Sequence, residues 1–250
     1  MRLAPLALLV PLLLVGCDST DDDNDTPRTF TVTLENVSTP GTVAGDRAMG
    51  AVPLSPPAWA VFTGNDPMFR SGQLANLGTE RIAEDGFPDE MVAILNAASN
   101  VSASGVETSP GGADMGPAVF PALGGAAAES VTFTFTARPG DRLQLETMFV
   151  QSNDWFYAFS DGGLELFDDG EPISGDVTSR LSVYDAGTEE DTAPGTGPTA
   201  PPGPVQKPVQ DPMATNVGTD ESVPVATASS RHSFAIPAND RVIRVTVSAR

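Results

Sequence analysis

The sequence predicts an all-β fold, an antiparallel β-sandwich with short helices in the connections. Three observations lead there. Phe30, Val32 and Leu34 alternate with threonines and Glu35 in the period of two that marks a half-buried strand. The same alternation returns in Val131, Phe133 and Phe135, in Leu143 and Leu145, and again in Val242 and Val245 to Val247. Strands at both ends of the folded region imply a closed sandwich, in which the last strand returns to the sheet.

Between the first strand and Ser130 the pattern changes. Ser55-Pro56-Pro57 breaks the chain, and Glu80 to Glu84 and Pro88 to Ala98 carry the apolar spacing of short helices, with Pro88 suited to a first turn. Met91, Ile94 and Leu95 are expected to face the sandwich. Pro194 to Pro212 is rich in Pro and Gly and poor in apolar anchors, so it reads as a surface excursion within one domain.

The N-terminus reads as a bacterial lipoprotein leader. Met1-Arg2-Leu3 gives a short basic start, and the apolar run to Val15 is too short to span a bilayer comfortably. Leu14-Val15-Gly16-Cys17 has the lipobox pattern, in which the cysteine thiol takes the lipid. The expected organisation is a signal peptide at 1–16, a lipidated acidic tether at 17–28 and a single domain at 29–250. Cys17 is the only cysteine, so lipidation leaves no internal disulfide and the domain must rely on its core and on any metal it holds. The expected location is the bacterial cell envelope, extracytoplasmic, on the inner or outer membrane, with the lipid as the contact to the membrane. Several acyl chains hold far more firmly than one.

A formal net charge of −20 opposes binding to nucleic acid and unassisted docking on anionic lipid, both of which are polyanions. The charge is concentrated: from Asp154 to Asp191 there are eleven carboxylates and one basic residue, Arg180. Acidic residues beside Gly162-Gly163, Asp169-Gly170 and Ala186-Gly187 are also what ordinary turns contain. Carboxylates on loops, helped by backbone carbonyls, satisfy the six to eight oxygen ligands that Ca2+ requires. No EF-hand loop is present, so a calcium site here has another geometry.

Two motifs flank the acidic stretch, Ser152-Asn153-Asp154-Trp155-Phe156 and Tyr184-Asp185-Ala186-Gly187-Thr188-Glu189. An Asp-Trp-Phe segment followed after an insert by Tyr-Asp-Ala-Gly-Thr and an acidic residue resembles the spondin N-terminal domain, a family found in animal matrix proteins and in bacterial lipoproteins. The likeness runs from about Phe30 to about Val247 and is most specific between Met148 and Glu190. It implies an antiparallel sandwich with one Ca2+ at its edge, held by Asp154, Asp185 and Glu189. Glu189 departs from the Asp usual in the animal domains, and its extra methylene moves the carboxylate outward by about one bond. The family's cysteines in the insert are absent, so 160–179 must be ordered by turns and polar contacts. The resemblance also implies a binding or adhesion module, whose ligand is a glycan or a protein. The alternative is a structural envelope lipoprotein whose calcium only stabilises the fold.

Catalysis is not expected. The sole histidine, His232, precedes an apolar segment read as a strand, Phe234-Ala235-Ile236, and is expected to be structural. Without a second histidine the Ser-His-Asp and zinc-protease arrangements have little to build on. A glycoside hydrolase built on Asp154 and Asp185 would need a cleft and carboxyl groups about 5–9 Å apart. Trp155 and Phe156 are expected to be core residues pinning the metal loop, with an exposed aromatic platform as the alternative.

Overall fold

A computed structural model of the protein describes residues 26–45, 47–108, 130–196 and 219–250, with the side chains of residues 47 and 48 left out. The leader, Cys17, nearly all of the tether and most of the Pro-rich excursion lie outside the described residues. Among the described residues, no helix is long and apolar enough to cross a membrane.

The fold is all-β, with short helices in the connections. The strands are β1 (Arg28–Asn36), β2 (Ala58–Phe62), β3 (Val101–Val106), β4 (Ser130–Ala137), β5 (Arg142–Met148), β6 (Trp155–Phe159), β7 (Leu164–Glu165), β8 (Phe167–Asp168), β9 (Glu171–Pro172), β10 (Gly175–Asp176), β11 (Leu181–Asp185), β12 (Ala226–Thr227) and β13 (Ile243–Ala249). The helices are α1 (Leu77–Asp85), α2 (Asp89–Ala97) and the single turn α3 (Ala228–Arg231).

One sheet runs β10-β13-β1-β4; the other runs β12-β11-β6-β5-β2-β3, with β7 on β5. The expected closure is present: β1 pairs antiparallel with β13, Phe30 opposite Ala249 and Leu34 opposite Val245. On its other side β1 pairs with β4, Phe30 opposite Phe135. Period two in these strands puts one face inward, and β4 shows it most cleanly, its eight residues alternating exposed and buried. Phe30, Val32, Leu34, Phe133, Phe135 and Val247 from the smaller sheet meet Trp59, Leu143, Leu145, Trp155, Tyr157 and Phe159 from the larger one in a single core. Trp59 stacks on Phe133, ring centroids 4.5 Å apart.

The larger sheet is covered on its second face too. Ala58, Ala60, Phe156, Ala158 and Tyr184 pack under α1 and α2, against Ile82, Ala83, Met91, Leu95, Met68 and Phe69. Met91 and Leu95 are buried as expected, and Ile94 is partly buried against them. Strand β6 therefore has no solvent face, and all five of its residues are buried. Helix α1 starts where Asn76 Oδ1 accepts the backbone N–H groups of Gly78 (2.9 Å) and Thr79 (3.1 Å). It stops at Gly86, whose φ of 71° reaches the left-handed region and whose N–H meets the Ile82 carbonyl.

The connection at 160–179 is more ordered than turns and polar contacts alone would make it. It forms the β8–β9 hairpin and lends β10 to the edge of β13. Phe167 and Ile173 pack against the core, so an acidic segment is pinned by two apolar side chains. One expectation fails: Phe234-Ala235-Ile236 is not a strand. Phe234 and Ile236 instead lean on the core as partly buried loop residues.

Candidate metal centre

Register places the two motif aspartates side by side. Strands β6 and β11 pair antiparallel with Trp155 opposite Asp185, so Asp154, immediately before β6, lies across from the residues that follow β11. The Ala186 N–H donates to the Asp154 carbonyl at 3.1 Å and fixes that juncture. The chain then turns at Gly187, whose φ is 72°; a Cβ there would sit 2.2 Å from the Val223 carbonyl oxygen. Only glycine permits this approach, through which Val223 N–H reaches the Gly187 carbonyl at 2.9 Å. The turn thereby gains a second wall, residues 220–225.

Asp154, Asp185 and Glu189 are all fully buried. Asp154 Oδ2 accepts three hydrogen bonds, from Thr188 N–H at 2.7 Å, the Thr188 hydroxyl at 3.2 Å and Glu189 N–H at 3.1 Å. Its Oδ1 is buried and accepts none. Burial, and then the Asp185 charge, push the Asp154 carboxyl up to about 7 against those three hydrogen bonds. Glu189 enters this geometry through its backbone N–H, and its backbone also bridges to Asp220.

Two residues that the sequence reading left outside the metal site complete the cluster. Asp185 Oδ2 and Asp191 Oδ2 each lie 2.6 Å from His232 Nε2, and these ligand-capable atoms of Asp185, Asp191 and His232 all lie within 4.8 Å of one another. Asp185 Oδ1 is engaged elsewhere, accepting Gly187 N–H at 2.7 Å and the Arg231 guanidinium. Asp191 Oδ2 also accepts the Trp155 indole N–H at 2.7 Å, while its Oδ1 is buried without a hydrogen bond. Burial, followed by the charge of Asp154, pushes the Asp191 carboxyl up to about 9. The His232 ring stacks on Trp155 and on Phe234, centroids 5.8 Å and 5.1 Å away.

Arg231 gives this arrangement one positive charge, on Asp185 Oδ1, against the three aspartates Asp154, Asp185 and Asp191. A single ring nitrogen has at most one proton to give, yet two carboxylate oxygens sit at hydrogen-bond distance from it. The cluster is stable with protons on the carboxyl groups or with a cation among them, and the orphaned Asp154 Oδ1 and Asp191 Oδ1 fit the second case as acceptors of charge. Of the sequence-derived trio, the structure joins Asp154 to Asp185. Asp185, Asp191 and His232 form the tightest ligand group among the described residues. His232 is hydrogen-bonded, as a structural histidine should be, but its partners are two acids of the site, so the donor set is not purely oxygen. The signal for His232 was the Arg231-His232 pair, a compact source of positive charge in an acidic chain.

Trp155 and Phe156 are core residues, both fully buried. The exposed large hydrophobic residues among those described are Met49, Leu74 and Leu77, so no aromatic platform borders the site. Beside it is a cleft of about 270 Å³ whose lining includes Leu74, Glu80, Glu84, Thr188, Asp220 and Glu221, with no basic residue. No family model matches this chain, and no curated protein matches it.

Proposed function

We propose that this protein is a lipid-anchored domain of the bacterial envelope whose fold is completed by a divalent cation at the β6–β11 edge. The observation that carries the reading is the largely buried cluster in which Asp185 and Asp191 both meet His232, with Asp154 beside them and two buried carboxylate oxygens that accept no hydrogen bond. Unmetallated, these acids repel one another, and Asp154 and Asp191, their pKa raised first by burial, favour holding protons. A cation replaces those protons and ties the turn that carries Asp185 and Asp191 to His232, a residue far from it in the chain. Trp155 and the Thr188 turn then orient the ligands from behind, through the indole bond to Asp191 and the bonds to Asp154.

The spondin-like resemblance points to the same edge and makes Ca2+ the first cation to test. At a free cation concentration one hundred times Kd, binding to the native state alone adds about 2.7 kcal/mol, several degrees in Tm. Scanning calorimetry of the chain in Ca2+, in Zn2+ and in chelator, with metal analysis of the purified protein, is the test. Identical melts in all three, with no bound metal, overturn the cation reading. The lipid anchor is tested separately by palmitate-analogue labelling of the wild type and of Cys17→Ser; an unlabelled wild type removes it.

A second reading, an adhesion module, rests on Leu74, 60% exposed in the lining of the acidic cleft, and on Leu77, 48% exposed at the start of α1. Retention on immobilised matrix proteins and glycans in cation but not in chelator is its expected signature. No retention on any of them removes it.

A further inference from the structure

We infer that the cation of this site is a first-row transition ion of the zinc class, bound through the His232 nitrogen, and not an all-oxygen ion such as Ca2+. The inference deepens the cation reading above and depends on it. It rests on how few donor atoms the three best-placed carboxylates have left. Asp154 Oδ2 already holds three hydrogen bonds, and Asp185 Oδ1 holds Gly187 N–H and the Arg231 guanidinium. Each of these two carboxylates therefore has one oxygen left, and neither can chelate through both. Asp191 Oδ2 accepts the Trp155 indole N–H and also faces His232 Nε2, and its Oδ1 accepts nothing.

Ca2+ takes six to eight oxygens at 2.3–2.6 Å, commonly with a bidentate carboxylate. The carboxylates of the cluster are buried, Asp185 at 0% and Asp191 at 1% side-chain exposure, with His232 at 17%, which leaves little room on the carboxylate side for the waters that would make up that number. Zn2+ is satisfied by four ligands, three of them from protein in many sites, and accepts imidazole nitrogen and carboxylate oxygen together. Asp185 Oδ2, Asp191 Oδ2 and His232 Nε2 provide that count and that chemistry. The surroundings match as well: the histidine ring stacks on Trp155 and on Phe234, Gly187 N–H holds Asp185 through its other oxygen, and the Trp155 indole N–H donates to Asp191 Oδ2. Asp154 lies close enough to Asp191 for its charge to help raise that carboxyl's pKa, adding negative charge that favours a dication.

The experiment uses the metal-free full chain and the metals themselves. Calorimetric titration should give Zn2+ an affinity at least a hundredfold above that of Ca2+, and Co2+ should produce the intense visible absorption of a low-coordinate site. His232→Gln should weaken Zn2+ and Co2+ more than tenfold and change Ca2+ binding less than threefold. His232→Cys should restore Co2+ binding with a new thiolate charge-transfer band. Wild-type titrations alone decide the case if either variant fails to fold. Ca2+ binding as tightly as Zn2+, with a featureless Co2+ spectrum, overturns the inference and leaves the cation reading standing. Binding of none of these ions overturns both.

Discussion

Asp154→Asn separates the electrostatic argument from the metal argument. The Asp154 carboxyl titrates near 3.8 in a solvated chain and is raised to about 7 in the fold, first by burial and then by Asp185. A raised carboxyl pKa means that the native state favours the proton. Its stability contribution is fully present below pH 3.8 and is lost as the pH climbs through 7. Roughly three pKa units at about 1.4 kcal/mol each make the loss about 4 kcal/mol at pH 8. Asparagine cannot ionise and avoids that loss. Its side-chain oxygen can keep the bonds from Thr188 and Glu189, and its amide can donate where Oδ1 now accepts nothing. In chelator at pH 8 the variant should therefore be more stable than wild type, by about 2–4 kcal/mol once relaxation of Asp185 and Asp191 is allowed for, roughly 5–15 °C in Tm. At pH 4 the advantage should fall to about 0.5 kcal/mol. With cation present the order should narrow or reverse, because the variant has lost a negative charge beside the ion. Scanning calorimetry at both pH values, with cation and with chelator, measures all four states. A variant less stable than wild type in chelator at pH 8, or an advantage independent of pH, refutes the reasoning.

Two further perturbations probe other parts of the molecule. Gly187→Ala should cost about 1–3 kcal/mol for its left-handed backbone and more for the Cβ clash with the Val223 carbonyl; Gly140→Ala, also left-handed but with open space around its Cβ, should cost only the backbone part, and equal Tm losses in the two would remove the argument for the close approach. Glu146 is fully buried under α1, with Oε1 accepting from the Thr79 hydroxyl at 3.2 Å and Oε2 accepting nothing, and burial, helped by the Asp66 charge, holds its carboxyl well above the usual range. Its contribution is thus lost as the pH rises above 4.5, and Glu146→Gln should gain on wild type in urea unfolding as the pH goes from 5 to 8; a constant or shrinking difference contradicts this.

What the sequence made legible followed from which surfaces face water. Strands β1, β4 and β13 have one inward face, so alternation exposed them. Strands β2 and β6 lie in the middle layer, between the small sheet and the helices, and read as unbroken apolar runs, Ala58 to Phe62 and Trp155 to Phe159. Such runs do not declare which residue faces which layer. At the candidate site, the two motifs and the resemblance they carry singled out Asp154, Asp185 and Glu189, and the structure sets Asp154 beside Asp185 and beside the backbone N–H of Glu189. Asp191 was not legible, being one acid of Glu189-Glu190-Asp191 with nothing local to single it out. His232 was not because its partners are supplied by β11 and by the turn after it, contacts that no local spacing encodes. The failed strand at Phe234 has the same origin: two apolar residues at a spacing of two also describe a loop pressed against a core.

The position of Arg231 explains why an acidic edge of this kind can fold before any ion arrives. Asp185 is fully buried and carries two basic neighbours, Arg231 on Oδ1 and His232 on Oδ2. Arg231 also lies 3.9 Å from Glu221, so one guanidinium spans the two walls of the turn. A buried charge with no partner is strongly destabilising, whereas a paired one is tolerable. Arg231 meets that need on Oδ1, and His232 adds its ring nitrogen on Oδ2. The two consecutive residues at the end of α3 thus divide the work, each engaging one oxygen of the same buried carboxylate.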